Sequence, residues 1–190
     1  MFYWFAWALL RIILFFRCKY KVIYANNIPK VGGAILLSNH RSYTDAIAIG
    51  TAVSFRKINY LAKAELFKVP VFNRIIKSLG AYPVNRKILD LGALRKTERL
   101  IRDKHLVLIF GEGTRNRKKN IKLLPMKKGF ALIAIKDNIP VIPVCIKGTE
   151  EILSFNYIRP LVEIRFGKPI YDKNPADVLK KTTEFLLNHS

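Results

Sequence analysis

Apolar positions along the chain gather into short runs at Ala34–Leu37, Leu106–Phe110, Val141–Ile146 and Val162–Phe166, unbroken in the first three and interrupted by Glu163 and Arg165 in the last. Runs of this kind predict strands covered on both faces. Between Met126 and Lys136 the period changes: Phe130, Leu132, Ile133 and Ile135 follow helical spacing, and Asn138 and Pro140 supply a stop before the next strand. A further helix is predicted from Asn174-Pro175, where Asn can cap and Pro suits the first helical position, to Leu187. The succession of strand, helix and strand predicts an α/β fold, a single domain with a mostly parallel central sheet flanked by helices. Active sites in such sheets lie beyond the carboxyl ends of the strands, so candidate chemistry is expected just after each apolar run.

The first sixteen residues, MFYWFAWALLRIILFF, are apolar except for Arg11, and Arg17, Lys19 and Lys21 come after them. The segment is short of the ~20 apolar residues of a bilayer span. Its charges lie beyond the apolar stretch, which is the reverse of a signal peptide. Phe2, Tyr3, Trp4, Phe5 and Trp7 cluster at one end, and amphipathic aromatics favour the headgroup level of a bilayer. The segment therefore predicts an interfacial or shallowly inserted helix, with packing on the domain's own core as the alternative. The flanking cations would keep the downstream domain on the cytoplasmic face.

Composition narrows the partner. The 190 residues carry 34 Lys and Arg against 13 Asp and Glu, a net charge of +21, on a chain that is 51% hydrophobic. That apolar content excludes disorder and supports one domain. The surplus charge implies a polyanion: nucleic acid, an anionic membrane or a phosphorylated substrate. An aromatic content of 12%, concentrated at the amino terminus and not among basic strands, favours the membrane over nucleic acid. Cys18 and Cys145 form no C-x-x-C pair and are expected to be packing residues.

Directly after the first run stands Ser38-Asn39-His40-Arg41-Ser42-Tyr43-Thr44-Asp45, and then the helix-like Ala46–Ile49. His40 and Asp45 are five positions apart, which on a regular helix is about 140° off a common face. The two meet only if His40 lies in a loop and Asp45 in the first helical turn. An imidazole held by a carboxylate has a fixed tautomer and raised basicity, as a general base for an alcohol requires. No serine or cysteine nucleophile motif accompanies the pair; Ser42 and Thr44 read as loop or cap hydroxyls. The alternative is a plain loop histidine with a capping aspartate.

After the run Leu106–Phe110 comes Gly111-Glu112-Gly113-Thr114-Arg115, with Asn116, Arg117, Lys118 and Lys119 behind it. Glycines permit close backbone approach, and exposed N–H groups beside an arginine form an anion pocket. Arg115 can hold a phosphate through two donors; a tight turn with a solvated basic face is the alternative. Lys63 and Arg86 are further basic positions that singly decide nothing. His105 and His189 have no acidic neighbours in sequence, and no metal cluster is indicated.

In order, these segments resemble the glycerolipid acyltransferase family, the 1-acylglycerol-3-phosphate acyltransferases, from about Ile28 to Pro169. Asn39-His40 through Asp45 resembles the family's H-x4-D block, Gly80–Arg86 its second, Phe110–Arg115 its third and Ile139–Val144 its fourth, and Lys63 falls in a matching Lys-x-Glu-Leu element. Gly111 stands where the family usually has proline, and Asn116 where it has serine. The resemblance implies transfer of a fatty acyl group from acyl-CoA or acyl carrier protein to the free hydroxyl of lysophosphatidic acid, without an acyl-enzyme, cofactor or metal. His40 would be the base and Asp45 its orienting partner. Lys63, Arg86 and Arg115 would bind the glycerol phosphate in a pocket shaped by Glu112, Gly113 and Thr114. Residues 1–24 would form the membrane-associating segment and 25–190 the acyltransferase domain. The other cations, including Arg117, Lys118, Lys119, Lys127 and Lys128, would face anionic lipid or an acidic acyl carrier. Competing readings are acylation of another lysophospholipid or a lyso-ornithine lipid, a basic nucleic-acid-binding protein, and a non-catalytic membrane adaptor.

Overall fold

A computed structural model describes residues 2–85, 90–118, 120–136, 138–153 and 159–190, apart from the side chain of Phe72. In chain order the elements are α1 (Phe2–Arg17), β1 (Lys19–Ile23), β2 (Ala34–Ser38), α2 (Asp45–Ala52), β3 (Ile58–Lys63), α3 (Pro70–Ser78), β4 (Ala81–Val84), α4 (Leu91–Arg102), β5 (Leu106–Phe110), α5 (Gly129–Lys136), β6 (Val141–Lys147), β7 (Leu161–Phe166) and α6 (Pro175–His189), with 3₁₀ segments at Ala25–Asn27, Ala64–Lys68 and Thr149–Glu151. The strands form one sheet in the order β1-β7-β6-β2-β5-β3-β4. All its pairings are parallel except β6 with β7.

The predicted runs are strands of this sheet; β7 alternates, with Glu163 and Arg165 between its buried residues, and the unbroken apolarity of the other three has the expected cause. Ile35 and Leu37 point into one core with Val107, Phe130 and Ile133, while Leu36 points into the other with Leu108, Ala48, Ile49 and Ile142. A strand buried on both faces can spare no position for a polar side chain. The strands β1, β3 and β4 carry no comparable run. Lys19 and Lys21 interrupt β1 at the sheet edge, and Lys63 ends β3. β1 lies within the amino-terminal 24 residues and pairs along its length with β7, Lys19 opposite Leu161 and Ile23 opposite Arg165.

Helix α6 opens as its sequence requires: the Asn174 side chain accepts from the Ala176 N–H, and Pro175 occupies the first position. Helix α5 starts later than predicted, at Gly129, because the Lys127 N–H is engaged by Gly111 O at 2.8 Å and holds the chain out of helical geometry. Helix α1 packs on the domain, the alternative raised for it, with one side only. One side packs on α2, burying Tyr3 and Leu14, with the Ile58 N–H donating to Tyr3 Oη at 3.1 Å and Arg11 to Thr51 O at 2.7 Å. The other side leaves Phe2, Phe5, Ile12, Phe15 and Phe16 exposed. Among the described residues no helix is long and apolar enough to cross a membrane.

The connections position the site. From β2 the chain crosses β5 to β3 by way of α2, and from β5 it crosses β2 to β6 by way of α5. Right-handed crossovers in opposite directions put α2 and α5 on opposite faces. The carboxyl ends of β2 and β5 thus flank a topological switch point, where open α/β sheets leave a crevice.

Candidate active site

The loop after β2 enters that crevice already tied on both sides. Asn39 is buried, and its side-chain amide donates to Ile146 O at 2.8 Å and accepts from the Ile146 N–H at 2.9 Å, so an asparagine takes the place of one more ladder residue beside β6. His40 is next. Its backbone N–H donates to Glu112 Oε1 at 2.7 Å and its carbonyl accepts from the Asn116 N–H at 2.7 Å. Its ring stacks on Phe110 with centroids 3.9 Å apart and planes 15° from parallel.

The pair required by the five-residue spacing is made. His40 Nδ1 lies 2.7 Å from Asp45 Oδ2, with His40 in the loop and Asp45 the first residue of α2. The same Oδ2 accepts the Arg41 N–H at 2.7 Å and the Ser42 N–H at 2.8 Å, and the Thr149 hydroxyl donates to Oδ1. Asp45 is wholly buried, so each of those donors offsets the desolvation of its carboxylate. Its place at a helix amino terminus also suits a negative charge. With Nδ1 committed to Asp45, His40 Nε2 is the nitrogen with no hydrogen-bond partner among the described residues, and it is the one free to take a proton.

Ser42 and Thr44 are loop hydroxyls, not caps. They bond to each other at 3.0 Å, Thr44 Oγ1 donates to Thr149 O at 2.9 Å, and neither side chain caps α2.

The turn after β5 supplies the opposite wall. Gly111 continues the ladder by donating to Ser38 O at 3.0 Å, a bond that a proline at this position could not form. The space beside Gly111 is filled by Met126, whose Cε would stand 2.1 Å from an added Cβ. Glu112 is buried, with one carboxylate oxygen accepting from the His40 N–H and the other from the Leu124 N–H at 2.8 Å. Burial raises its pKa above the ordinary carboxylate value, opposed by those two backbone bonds and by the nearby His40 and Arg41. Its oxygens are therefore occupied in holding the two loops together. Gly113 has φ +68°, a left-handed turn conformation that glycine adopts without strain. The Asn116 side chain closes the next bend on Ile121 O at 2.7 Å.

The cations are held more loosely. The Arg115 guanidinium lies over the Tyr43 ring, 3.4 Å from its centroid, and Thr114 is exposed. Lys63, at the carboxyl tip of β3, is exposed and pairs with Glu65 at 3.2 Å. Arg86 and Lys119 lie outside the described residues. Lys127 is exposed, and its stem packs on Gly113 where it lines a cavity. That cavity, about 450 Å³, runs from the 111–113 turn between the sheet and helices α4 and α5, with Leu61, Leu94, Ile109, Phe110, Phe130 and Ile133 along it. Its volume is in the ~300–1,000 Å³ range of small-molecule sites.

Thr149 and Lys127 are site residues that no motif marks. Thr149 stands 104 positions from Asp45, yet it sits just past the carboxyl end of β6, where parallel sheets generally place their functional groups. Among the described residues no three His, Cys, Asp or Glu side chains converge to hold a metal.

Similarity to known proteins agrees with this geometry. A family model described as Acyltransferase matches residues 19–147. The chain is 29% identical over 172 residues to the 1-acyl-sn-glycerol-3-phosphate acyltransferase of Bacillus subtilis, covering 90% of this chain and 84% of that protein. It is 29% identical over 185 residues to a chloroplastic 1-acyl-sn-glycerol-3-phosphate acyltransferase of Brassica napus, covering 91% of this chain but only 50% of that one. The crystal structure of the 1-acyl-sn-glycerophosphate acyltransferase PlsC from Thermotoga maritima superposes with a TM-score of 0.74 at 26% identity, over 94% of this chain and 77% of that one. The family match takes in well over half the chain, including the loops that carry His40, Asp45, Lys63 and Arg115, and the chain therefore belongs to the acyltransferase family.

Proposed function

We propose that this protein transfers a fatty acyl group from a thioester, acyl-CoA or acyl carrier protein, to the free hydroxyl of lysophosphatidic acid, forming phosphatidic acid. The observation that carries this reading is the His40–Asp45 pair, with Nδ1 committed to a buried carboxylate and Nε2 left over, beside an apolar cavity. His40 Nε2 takes the hydroxyl proton as the oxygen attacks the thioester carbonyl, and Asp45 stabilises the imidazolium that forms. Collapse of the tetrahedral intermediate expels the thiolate, which recovers the proton from His40. The pair needs no acyl-enzyme, since Ser42 and Thr44 are spent on each other and on the backbone. Arg115, with Lys63 and Arg86, binds the acceptor phosphate, and the cavity beyond Phe110 and Gly113 takes an acyl chain.

The outer side of α1, with Phe2, Phe5, Phe15 and Phe16 exposed, rests in the headgroup region of the cytoplasmic leaflet, and the basic surface holds the enzyme against anionic lipid. Homologues named for lysophosphatidic acid acylation support the choice of acceptor. The test is incubation of the purified protein with radiolabelled lysophosphatidic acid and each thioester donor in turn. Labelled phosphatidic acid is expected with at least one donor. Transfer to another lysolipid in an acceptor panel, with none to lysophosphatidic acid, would replace the acceptor and keep the chemistry.

A further inference from the structure

Helix α3 is amphipathic by sequence, yet none of its described side chains is buried. Val71 is 71% exposed and Ile75, one turn further on the same side, 41%; in the preceding segment Val69 and Leu66 are exposed as well. A helix that packed its apolar stripe on the core would not leave these positions in water. Around them stand Lys68, Arg74 and Lys77, which have no ion-pair partner among the described residues, and from Leu66 to Leu89 the sequence holds no acidic residue.

The crossovers β2-α2-β3 and β3-α3-β4 step across the sheet in one direction, so right-handed connections place α2 and α3 on the same face. Helix α1 packs on α2, and Leu79 at the end of α3 shares a small cleft with Tyr3 and Trp7 of α1 and Ile47 of α2. The apolar outer side of α1 and the apolar side of α3 are thus neighbours on one surface.

We propose that α3, with Leu66 and Val69 before it, is a second bilayer-contacting element that docks on anionic lipid beside α1. Protein–protein interface cores are depleted in lysine, whereas apolar side chains ringed by unpaired cations suit the headgroup boundary, where the cations meet lipid phosphates. The segment begins immediately after Lys63, so docking it brings the carboxyl tip of β3 to the lipid surface. Two contacts fix the rotation of the enzyme on the membrane, which one helix lying in the interface does not. The inference rests on the reading of the protein as an enzyme of membrane lysolipids.

The test uses the full chain with a single Val71→Cys or Ile75→Cys substitution carrying an environment-sensitive fluorophore; Cys18 and Cys145 are buried and stay unlabelled. Controls carry the label at Phe5→Cys on α1 and Lys180→Cys on α6. With vesicles of phosphatidylglycerol and phosphatidylcholine, labels at 71, 75 and 5 should shift to the blue and be quenched by brominated lipid, and the label at 180 should not. Val71→Glu/Ile75→Glu should weaken vesicle binding by about tenfold or more while leaving turnover of a water-soluble short-chain acceptor intact. A response at 5 with none at 71 or 75 overturns the proposal and leaves the acyltransferase reading standing. A response at 71 that appears without vesicles as protein concentration rises assigns the surface to a second copy of the chain and overturns it equally. Loss of acyl transfer with every acceptor, vesicle binding being normal, would instead reject the functional reading.

Discussion

The two ends of the site are built to different standards. At the His40–Asp45 end Asp45 is wholly buried with four donors on its two oxygens, and His40 is fixed through its backbone N–H, its carbonyl, its Nδ1 and its ring face. At the cation end Lys63 is exposed beside Glu65, Thr114 is exposed, and Arg115 is held by the face of a tyrosine that is itself in water. On the proposed function the contrast is a division of labour. A proton transfer needs atoms placed to a fraction of an ångström before substrate arrives, whereas a phosphate can draw flexible cations to itself through charge. On the proposed function, rigid chemistry would sit beside binding groups that close on their ligand.

Breaking the two ends should give different kinetics. His40→Ala removes the base from a site that otherwise stays assembled, and kcat should fall roughly a thousandfold with little change in KM for lysophosphatidic acid. Wild-type turnover in that variant would reject the general-base role. Arg115→Ala comes next: losing a charge-assisted contact should raise the acceptor KM roughly 10- to 100-fold and leave the thioester KM nearly unchanged. Equal effects on both KM values would remove Arg115 from the phosphate end. A large fall in kcat alone would move it to the rigid end and erase the division between positioned and mobile groups.

The same division governs what is legible in the sequence. His40 and Asp45 stand five residues apart after an apolar run, so strand, loop and helix start are local and the pair can be predicted from spacing. The central strands are legible for a related reason, since Ile35–Leu37 and Leu106–Leu108 face two cores and cannot be polar. Thr149 is not, because its contact with Asp45 depends on β6 lying beside β2, which no local pattern states. Edge strands such as β1, with Lys19 and Lys21 in solvent, lose the apolar signal by which the others are found. Glu112 is legible as a motif residue, but its engagement by the backbone N–H groups of His40 and Leu124 depends on loops that meet only in the fold.

Thr149 offers a finer probe of the rigid end. Thr149→Val keeps the shape and removes the one hydroxyl on Asp45 Oδ1, leaving a buried carboxylate short of a donor at a penalty of about 1–3 kcal/mol. The expected result is a kcat lower by roughly tenfold with unchanged KM values, and recovery in Thr149→Ser, which restores the donor. A variant that lost acceptor affinity instead would show that the loop after β6 serves the phosphate.

The smallest expected effect concerns Glu112, which links the two ends, and it is read in stability against pH. Its carboxyl is raised above the ordinary value of 4.5 because burial outweighs the two backbone N–H bonds it accepts. A raised carboxyl means that the folded chain binds the proton more tightly than the unfolded chain does. The stability it contributes is therefore complete below pH 4.5 and is lost as pH climbs through the folded-state value. Glu112→Gln has no proton to release. It should lack this slope. The wild-type Tm should therefore fall relative to that of Glu112→Gln as pH rises from 4.5 towards neutrality. A wild-type Tm that instead rises relative to the variant would mean that the two backbone donors outweigh burial, so that Glu112 is held as an anion and the rigid end of the site extends across both loops.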